Sequence, residues 1–101
     1  MPAVVVLSTF PSEAKAAEIA RTLVEERLCA CANLVPAVRS IYRWHGAISD
    51  DTEALAIIKT TSERVEALRE RIVALHPYDV PEVIVLAIEG GHAAYLAWLA
   101  Q

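Results

Sequence analysis

The chain has 101 residues, carries a net charge of −4 and has an isoelectric point near 5.3. Its basic residues are scattered among carboxylates, which argues against nucleic acid as a partner because phosphate binding needs a clustered basic surface. Its apolar runs fall far short of the ~20 residues that span a bilayer, which argues against a membrane partner. The length suits a single domain, residues 1–101, because domains typically hold roughly 100 to 150 residues.

The chain is more apolar than a small monomer requires. Hydrophobic residues make up 55% of it, whereas folding a domain of this size buries only ~60 to 70% of the surface that the unfolded chain exposes. One small core cannot hide so much apolar surface. We therefore expect the chain to associate with copies of itself.

Two features predict the compartment. Met1 leads directly into an apolar run, without the pattern of a secretory signal. Cys29 and Cys31 are the only cysteines, and positions i and i+2 of a strand hold Cα atoms ~6.5 Å apart, near the limit for a disulfide. We therefore expect two free thiols in a cytoplasmic protein.

The first part of the chain predicts a strand and then a helix. Ala3–Leu7 is an apolar run that continues to Phe10, and Pro11 ends the pairing of this strand. Ser12 is a good N-cap residue, and Glu13 suits the positive end of the helix. The apolar stripe that extends the helix to about Arg27 consists of Ala16, Ala20, Leu23, Val24 and Leu28.

The next segment predicts a long hairpin. Pro36 interrupts the apolar run Cys29–Val35 and indicates an edge strand or a bulge. His45 and Gly46 supply a turn, and Ile48–Glu53 returns as a polar arm. This arm is longer than a small domain needs, so we expect a neighbouring subunit to bury the aromatic face of the hairpin. That face, read from the period of two, consists of Val38, Ser40, Tyr42 and Trp44.

A central strand and a second helix follow. Ala54–Ile58 is a short uninterrupted apolar run, which predicts a strand covered on both faces. Thr60 and Glu63 have the spacing of a capping box and predict the start of the helix. The apolar stripe of this helix consists of Val65, Leu68, Ile72 and Leu75.

The last third predicts a rigid loop, a strand and a short helix. His76–Glu82 contains two prolines, each of which disfavours helical geometry in the residue before it. Val83–Ile88 is a further apolar run, and His92–Ala100 forms the terminal helix. The order β-α-β-β-α-β with a C-terminal helix predicts an α+β fold, the ferredoxin-like sandwich. Helices on one face leave the other face of the sheet bare, which again favours association.

Several motifs, in the same order and without large gaps, resemble the CutA family of divalent-cation tolerance proteins. The resemblance implies a ferredoxin-like protomer, a homotrimer and a role in tolerance of divalent metals, copper especially. One departure is His45, where the family usually carries glutamate between the tryptophan and the glycine. The motifs are Cys31–Pro36, Ser40–Gly46, Ile58–Thr61, His76–Glu82 and Tyr95–Trp98.

Cys31 and His76 are the candidate metal ligands. They match family positions suspected of binding copper, and thiolate with imidazole favours copper or zinc over magnesium or calcium. Each has a simpler alternative, because Cys31 also suits a small core residue and His76 also suits a cap at the negative end of the second helix. The residues that we expect to support the metal or to line an adjoining cleft are Asp79, Glu82, Tyr78 and Trp44, and an aromatic pocket would also include Tyr42 and Trp98.

Two other function classes stay open. The protomer also resembles the PII signalling proteins, which bind small anionic ligands between subunits, and here Lys59, Arg43 and Arg39 are the candidate anion ligands. A scaffold for a protein partner is the second alternative. The sequence predicts no enzyme and no obligatory cofactor, with copper or another divalent cation as the candidate metal. The expected partners are further copies of the chain and the metal ion.

Overall fold

The computed structural model describes residues 2–101 and shows an α+β fold. Within these residues the sheet has four strands in the order β2-β3-β1-β4, and every neighbouring pair is antiparallel. This topology confirms the predicted ferredoxin-like order. No helix in this range is both long and apolar enough to cross a bilayer. The elements are β1 (Ala3–Phe10), α1 (Glu13–Glu25), β2 (Cys31–Trp44), β3 (Ala47–Thr61), α2 (Val65–Leu75), β4 (Ile84–Ala87) and α3 (Ala93–Leu99).

The core lies between the sheet and the two longer helices. Burial alternates along β1, because successive side chains of a strand point to opposite faces. The predicted stripe of α2 faces this core, and so does that of α1 except for Val24, which is exposed. Both cysteines are free, and Cys29 is buried. The largest fully buried apolar side chains are Phe10, Leu23, Ile58, Leu68, Ile72, Leu99 and Val6.

Helix α1 begins as predicted and ends two residues earlier. The Ser12 side chain accepts a hydrogen bond from the backbone N–H of Lys15 at 3.1 Å. At the other end, Arg27 takes a positive φ of 61°, and the Leu28 N–H donates to the Leu23 carbonyl at 3.0 Å. This is the Schellman pattern that satisfies the last carbonyls of a helix.

The predicted capping box at Thr60 is wrong. Thr60 is fully buried within β3, and its hydroxyl donates to the Leu28 carbonyl at 2.9 Å. The chain then passes through a single 3₁₀ turn, Ser62–Arg64, before α2 begins at Val65. A buried hydroxyl needs a hydrogen-bond partner, and the carbonyl of Leu28, in the turn after α1, supplies it.

The β2–β3 hairpin extends beyond the rest of the sheet. The register shifts between Val35 and Val38, beside Pro36, as the proline predicts. The two-residue turn has positive φ at His45 (50°) and at Gly46 (78°), as expected for a tight hairpin. β3 pairs with both β1 and β2 over residues 55–59, whereas residues 47–53 pair with β2 alone. We call residues 37–53, which project ~23 Å from the sheet, the ribbon.

Strand β4 and helix α3 are shorter than predicted. β4 spans Ile84–Ala87 on an edge of the sheet, and all four residues are exposed. Helix α3 begins at Ala93 and buries Leu99, while Tyr95 and Trp98 remain exposed. The apolar run therefore predicted the strand correctly but not its exposure.

The core assignment makes a stability prediction. We expect Ile72→Ala to lower the apparent free energy of unfolding by ~2 to 5 kcal/mol, because it leaves a cavity under a fully buried side chain. Val73→Ala is the matched control, since Val73 is 51% exposed on the same helix, and we expect a change within ~0.5 kcal/mol. Denaturant unfolding at one protein concentration provides the measurement. Equal losses in the two variants would contradict the orientation of α2.

Candidate functional site

A cavity of about 800 Å³ lies between the ribbon and the His76–Glu82 loop. Its walls combine aromatic rings with carboxylates. Three of the predicted cleft residues on the loop, and Trp44 on the ribbon, come together here. The residues that line it are Thr9, Arg39, Ser40, Ile41, Tyr42, Trp44, Glu53, Pro77, Tyr78, Asp79, Val80 and Glu82.

His76 anchors the loop to the sheet. Its ring stacks on Phe10, with the centroids 4.6 Å apart, and its Nε2 lies 2.7 Å from the Thr9 carbonyl oxygen. The backbone N–H of Tyr78 donates to Nδ1 at 3.1 Å. A carbonyl can only accept, so Nε2 carries the proton and Nδ1 is the acceptor. Both ring nitrogens of His76 therefore have partners within the chain.

Burial favours the neutral form of the His76 ring. Burial lowers the pKa of His76, and this effect outweighs the opposing effects of the Thr9 carbonyl and the Glu53 carboxylate. The residue does cap α2, through its backbone N–H to the Ile72 carbonyl at 2.9 Å. The ring itself serves as a neutral link between loop and strand.

Tyr78 connects the same loop to the base of the ribbon. Its hydroxyl donates to Glu53 Oε2 at 2.7 Å, and Glu53 is only 9% exposed. Burial, followed by the contact with Glu53, raises the pKa of Tyr78 well above its ordinary value. Burial and the nearby Glu53 also raise the pKa of Glu82. The loop thus places the Glu82 carboxyl group near that of Glu53 on β3.

The ribbon supplies the aromatic wall. Its register places Tyr42 opposite Ser49, and the Tyr42 hydroxyl donates to Asp51 Oδ2 at 2.6 Å. This hydrogen bond is the main cause that raises the pKa of Tyr42. On the other face, Arg39 donates both Nε and an Nη to the Asp50 carboxylate, at 2.8 and 2.7 Å. The alternation predicted for this strand is confirmed.

A single chain does not bring the two candidate metal ligands together. Cys31 is half-buried, and its Sγ lies 3.6 Å from Asn33 Oδ1. In the sheet it pairs with Lys59 of β3, which in turn pairs with Val5 of β1. His76 instead contacts the strand at Thr9, ~13 Å further along β1. Among residues 2–101 no group of three His, Cys, Asp or Glu side chains is placed to hold a metal ion.

The candidate anion ligands are also separated. Lys59 Nζ lies 3.5 Å from the Tyr95 hydroxyl oxygen, whereas Arg43 pairs with Ile48 near the hairpin turn. The two basic residues stand ~36 Å apart along the strands. Trp98 packs against Tyr95 with centroids 5.5 Å apart, and it does not line the cavity.

Sequence reasoning missed Glu53 as a site residue. The sequence pattern indicates only a polar position on the return arm of the hairpin. In the structure Glu53 is buried and accepts a hydrogen bond from the Tyr78 hydroxyl. The available signal was its position, since Glu53 directly precedes the continuous apolar run of the central strand. A carboxylate at the entry to a buried strand needs a hydrogen-bond partner.

Comparison with known proteins identifies the class. Residues 4–101 match the family described as "CutA1 divalent ion tolerance protein". The "Divalent-cation tolerance protein CutA" of Thermus thermophilus is 53% identical over 97 residues, which cover 96% of this chain and 94% of that protein. The "Protein CutA" of Mus musculus is 52% identical over 93 residues, or 92% of this chain.

A solved structure agrees with this assignment. The crystal structure of CutA1 from Oryza sativa superposes with a TM-score of 0.95 at 44% identity, covering 98% of this chain and 91% of that one. The chain spans about half of the mouse relative, 52% of its length. The protein therefore falls in the class of divalent-ion tolerance proteins. It belongs to the CutA family, which confirms the resemblance in the sequence and supports a general role in metal tolerance.

The neutral His76 makes a prediction for pH. A pKa lowered by folding means that the unfolded chain binds the proton more readily, so stability is lost as pH falls below ~6.5, the ordinary value, toward the folded-state pKa. We expect a slope of at most ~1.4 kcal/mol per pH unit from this one group. Urea unfolding of wild type and of His76→Gln across this range measures it. Superimposable pH profiles for the two proteins would contradict the burial of a neutral ring.

Proposed function

We propose that copies of this chain assemble into a homotrimer that acts in divalent-metal tolerance, with copper as the metal. The observation that carries the proposal is the match to the divalent-ion tolerance family over residues 4–101. The copy number of three comes from the resemblance to that family. The proposed role is binding and not catalysis, and it requires no obligatory cofactor.

The edges of the sheet support assembly. Strands β2 and β4 are the two ends of the strand order, and an edge strand presents unpaired N–H and C=O groups that can pair with another chain. On β4 the side chains of Ile84, Val85 and Leu86 are 43 to 48% exposed. An exposed apolar edge of this kind is a ready site for a second copy.

The ribbon supports assembly independently. An isolated two-stranded hairpin is at best marginally stable in water, yet this one carries Ile41 at 64%, Ile48 at 63% and Trp44 at 46% exposure. A neighbouring subunit that covers the ribbon would remove these side chains from water. The predicted burial of the aromatic face is part of this proposal.

For copper, the geometry favours Cys31 over His76. Cys31 is partly accessible, and a thiolate is a soft ligand suited to Cu(I). His76 can contribute only by giving up its contact with Thr9 or with the Tyr78 N–H. Because the two residues lie apart in one chain, a site that includes both would draw them from different subunits. The proposal therefore makes Cys31 the main ligand and His76 a conditional one.

The assembly is tested by mass in solution. We expect light scattering after size exclusion to give three times the 11.0 kDa of one chain at micromolar concentration. Trp44→Ala should weaken the assembly, because truncating a large buried aromatic typically costs ~3 to 5 kcal/mol. Glu70→Ala, at an exposed position on α2 and outside the ribbon, is the control and should leave the mass unchanged. A monomeric wild type would contradict the proposal.

Copper binding is tested by anaerobic calorimetry on the reduced assembly. We expect Cys31→Ser to weaken Cu(I) binding by at least ~10-fold, because serine lacks the soft thiolate. Cys29→Ser is the matched control, since Cys29 is buried and burial raises the pKa of its thiol to about 11. Affinity should fall at lower pH, where protons compete for the ligand. Unchanged affinity in Cys31→Ser would remove Cys31 from the site.

A further inference from the structure

We propose that the cavity between the ribbon and the His76–Glu82 loop binds a small organic ammonium, namely a protonated primary amine or diamine. The residues that carry this inference all come from one chain, and the neighbouring subunit proposed to cover the ribbon would form the outer wall of the cavity. The inference goes beyond the metal role and does not depend on it.

The cavity presents aromatic rings to its occupant. Tyr42, Trp44 and Tyr78 all line it, from the ribbon and from the loop. The face of an aromatic ring attracts an organic cation through its quadrupole, and this attraction is stronger where water is excluded. Such walls also pack favourably against the methylene groups of an aliphatic amine.

The hydrogen-bonding groups at the cavity are arranged as acceptors. The Tyr42 hydroxyl donates a hydrogen bond to Asp51, and the Tyr78 hydroxyl donates one to Glu53. Each hydroxyl oxygen therefore keeps only lone pairs for a ligand. An ammonium group, which has N–H donors and no acceptor, is complementary to this arrangement, whereas an anion is not.

Glu53 provides the most specific feature. The residue is about nine-tenths buried and lines the cavity. Its Oε2 accepts a hydrogen bond from the Tyr78 hydroxyl, which leaves Oε1 as the acceptor that a ligand can reach. A hydrogen bond from an ammonium group to a carboxylate oxygen is charge-assisted and therefore stronger than a neutral one. A ligand N–H at Oε1 would form such a bond.

The charges around the cavity favour a cation. Arg39 is the basic side chain in its lining, and Asp50 already engages it through two hydrogen bonds. Glu53, Asp79 and Glu82 are the acidic ones. Burial and the proximity of Glu53 both raise the pKa of Glu82, so the Glu53 carboxylate disfavours the charged form of Glu82. A bound cation would relieve this repulsion.

A bare metal ion is less suited to the same cavity. Hard divalent cations take six or more oxygen ligands that converge on one point. Among residues 2–101 no three side chains of the metal-ligating types converge in that way. The aromatic side chains that form much of the wall supply no oxygen ligands except the Tyr42 and Tyr78 hydroxyl groups, which already donate hydrogen bonds to carboxylates. A cation that carries its own N–H donors and apolar groups fits these walls better.

The test is calorimetry on the intact assembly with diaminobutane as the probe. We expect one site per chain, and at least ~10-fold weaker binding in Glu53→Gln, which keeps the size of the side chain and removes its charge. If Glu53→Gln fails to fold, Glu82→Gln provides a second variant in which diaminobutane binding should be weaker than in wild type. Glu63→Gln is the matched control, because Glu63 is an exposed carboxylate at the far end of β3, and it should bind as wild type does.

Four further titrations make the result specific. Butanediol has the same length without charge, and tetramethylammonium has charge without N–H donors, so we expect no binding of the first and weaker binding of the second. Magnesium and phosphate should not compete. Equal diaminobutane affinity in wild type, Glu53→Gln and Glu82→Gln would overturn the proposal, as would no binding at millimolar concentration. Tighter binding of magnesium or phosphate that is sensitive to Glu53→Gln would also overturn it.

Discussion

The length of strand β3 is the constraint on which the rest of this structure depends. Its second half pairs on both sides and carries fully buried residues of the core, whereas its first half pairs only with β2. One strand therefore belongs both to a packed sheet and to a ribbon with which no third strand among residues 2–101 pairs. The exposed apolar side chains of the ribbon follow directly from this overhang, and so does the cavity at its base.

The junction between sheet and ribbon is stabilised by a short loop that returns from α2. His76 closes two hydrogen bonds, one to the Thr9 carbonyl of β1 and one within the loop. Tyr78 then reaches Glu53 on β3. Because these polar groups are buried, each depends on the others for a partner, and loss of one leaves another unsatisfied. The loop thus links the stability of the fold to the shape of the cavity.

The proposed metal site and the cavity involve different chemistry in the same chain. Cys31, the proposed soft donor, lies at the start of β2, while the aromatic and acidic cavity lies beside the ribbon. In one chain neither location draws on the other's side chains. A protein whose copies associate through sheet edges and ribbon would bring such separate sites near subunit boundaries, where assembly and binding influence each other.

The sequence by itself determined the elements and the family. Apolar periodicity located the strands and helices, because the spacing of apolar residues is a local property that follows the period of the structure. The motifs from Cys31 to Trp98 indicated the CutA family. Only the tertiary structure decided which polar groups meet: Thr60 with Leu28, Tyr78 with Glu53, and Thr9 with His76. Those pairs depend on the register between segments far apart in the chain, and the local spacing of apolar residues does not determine that register.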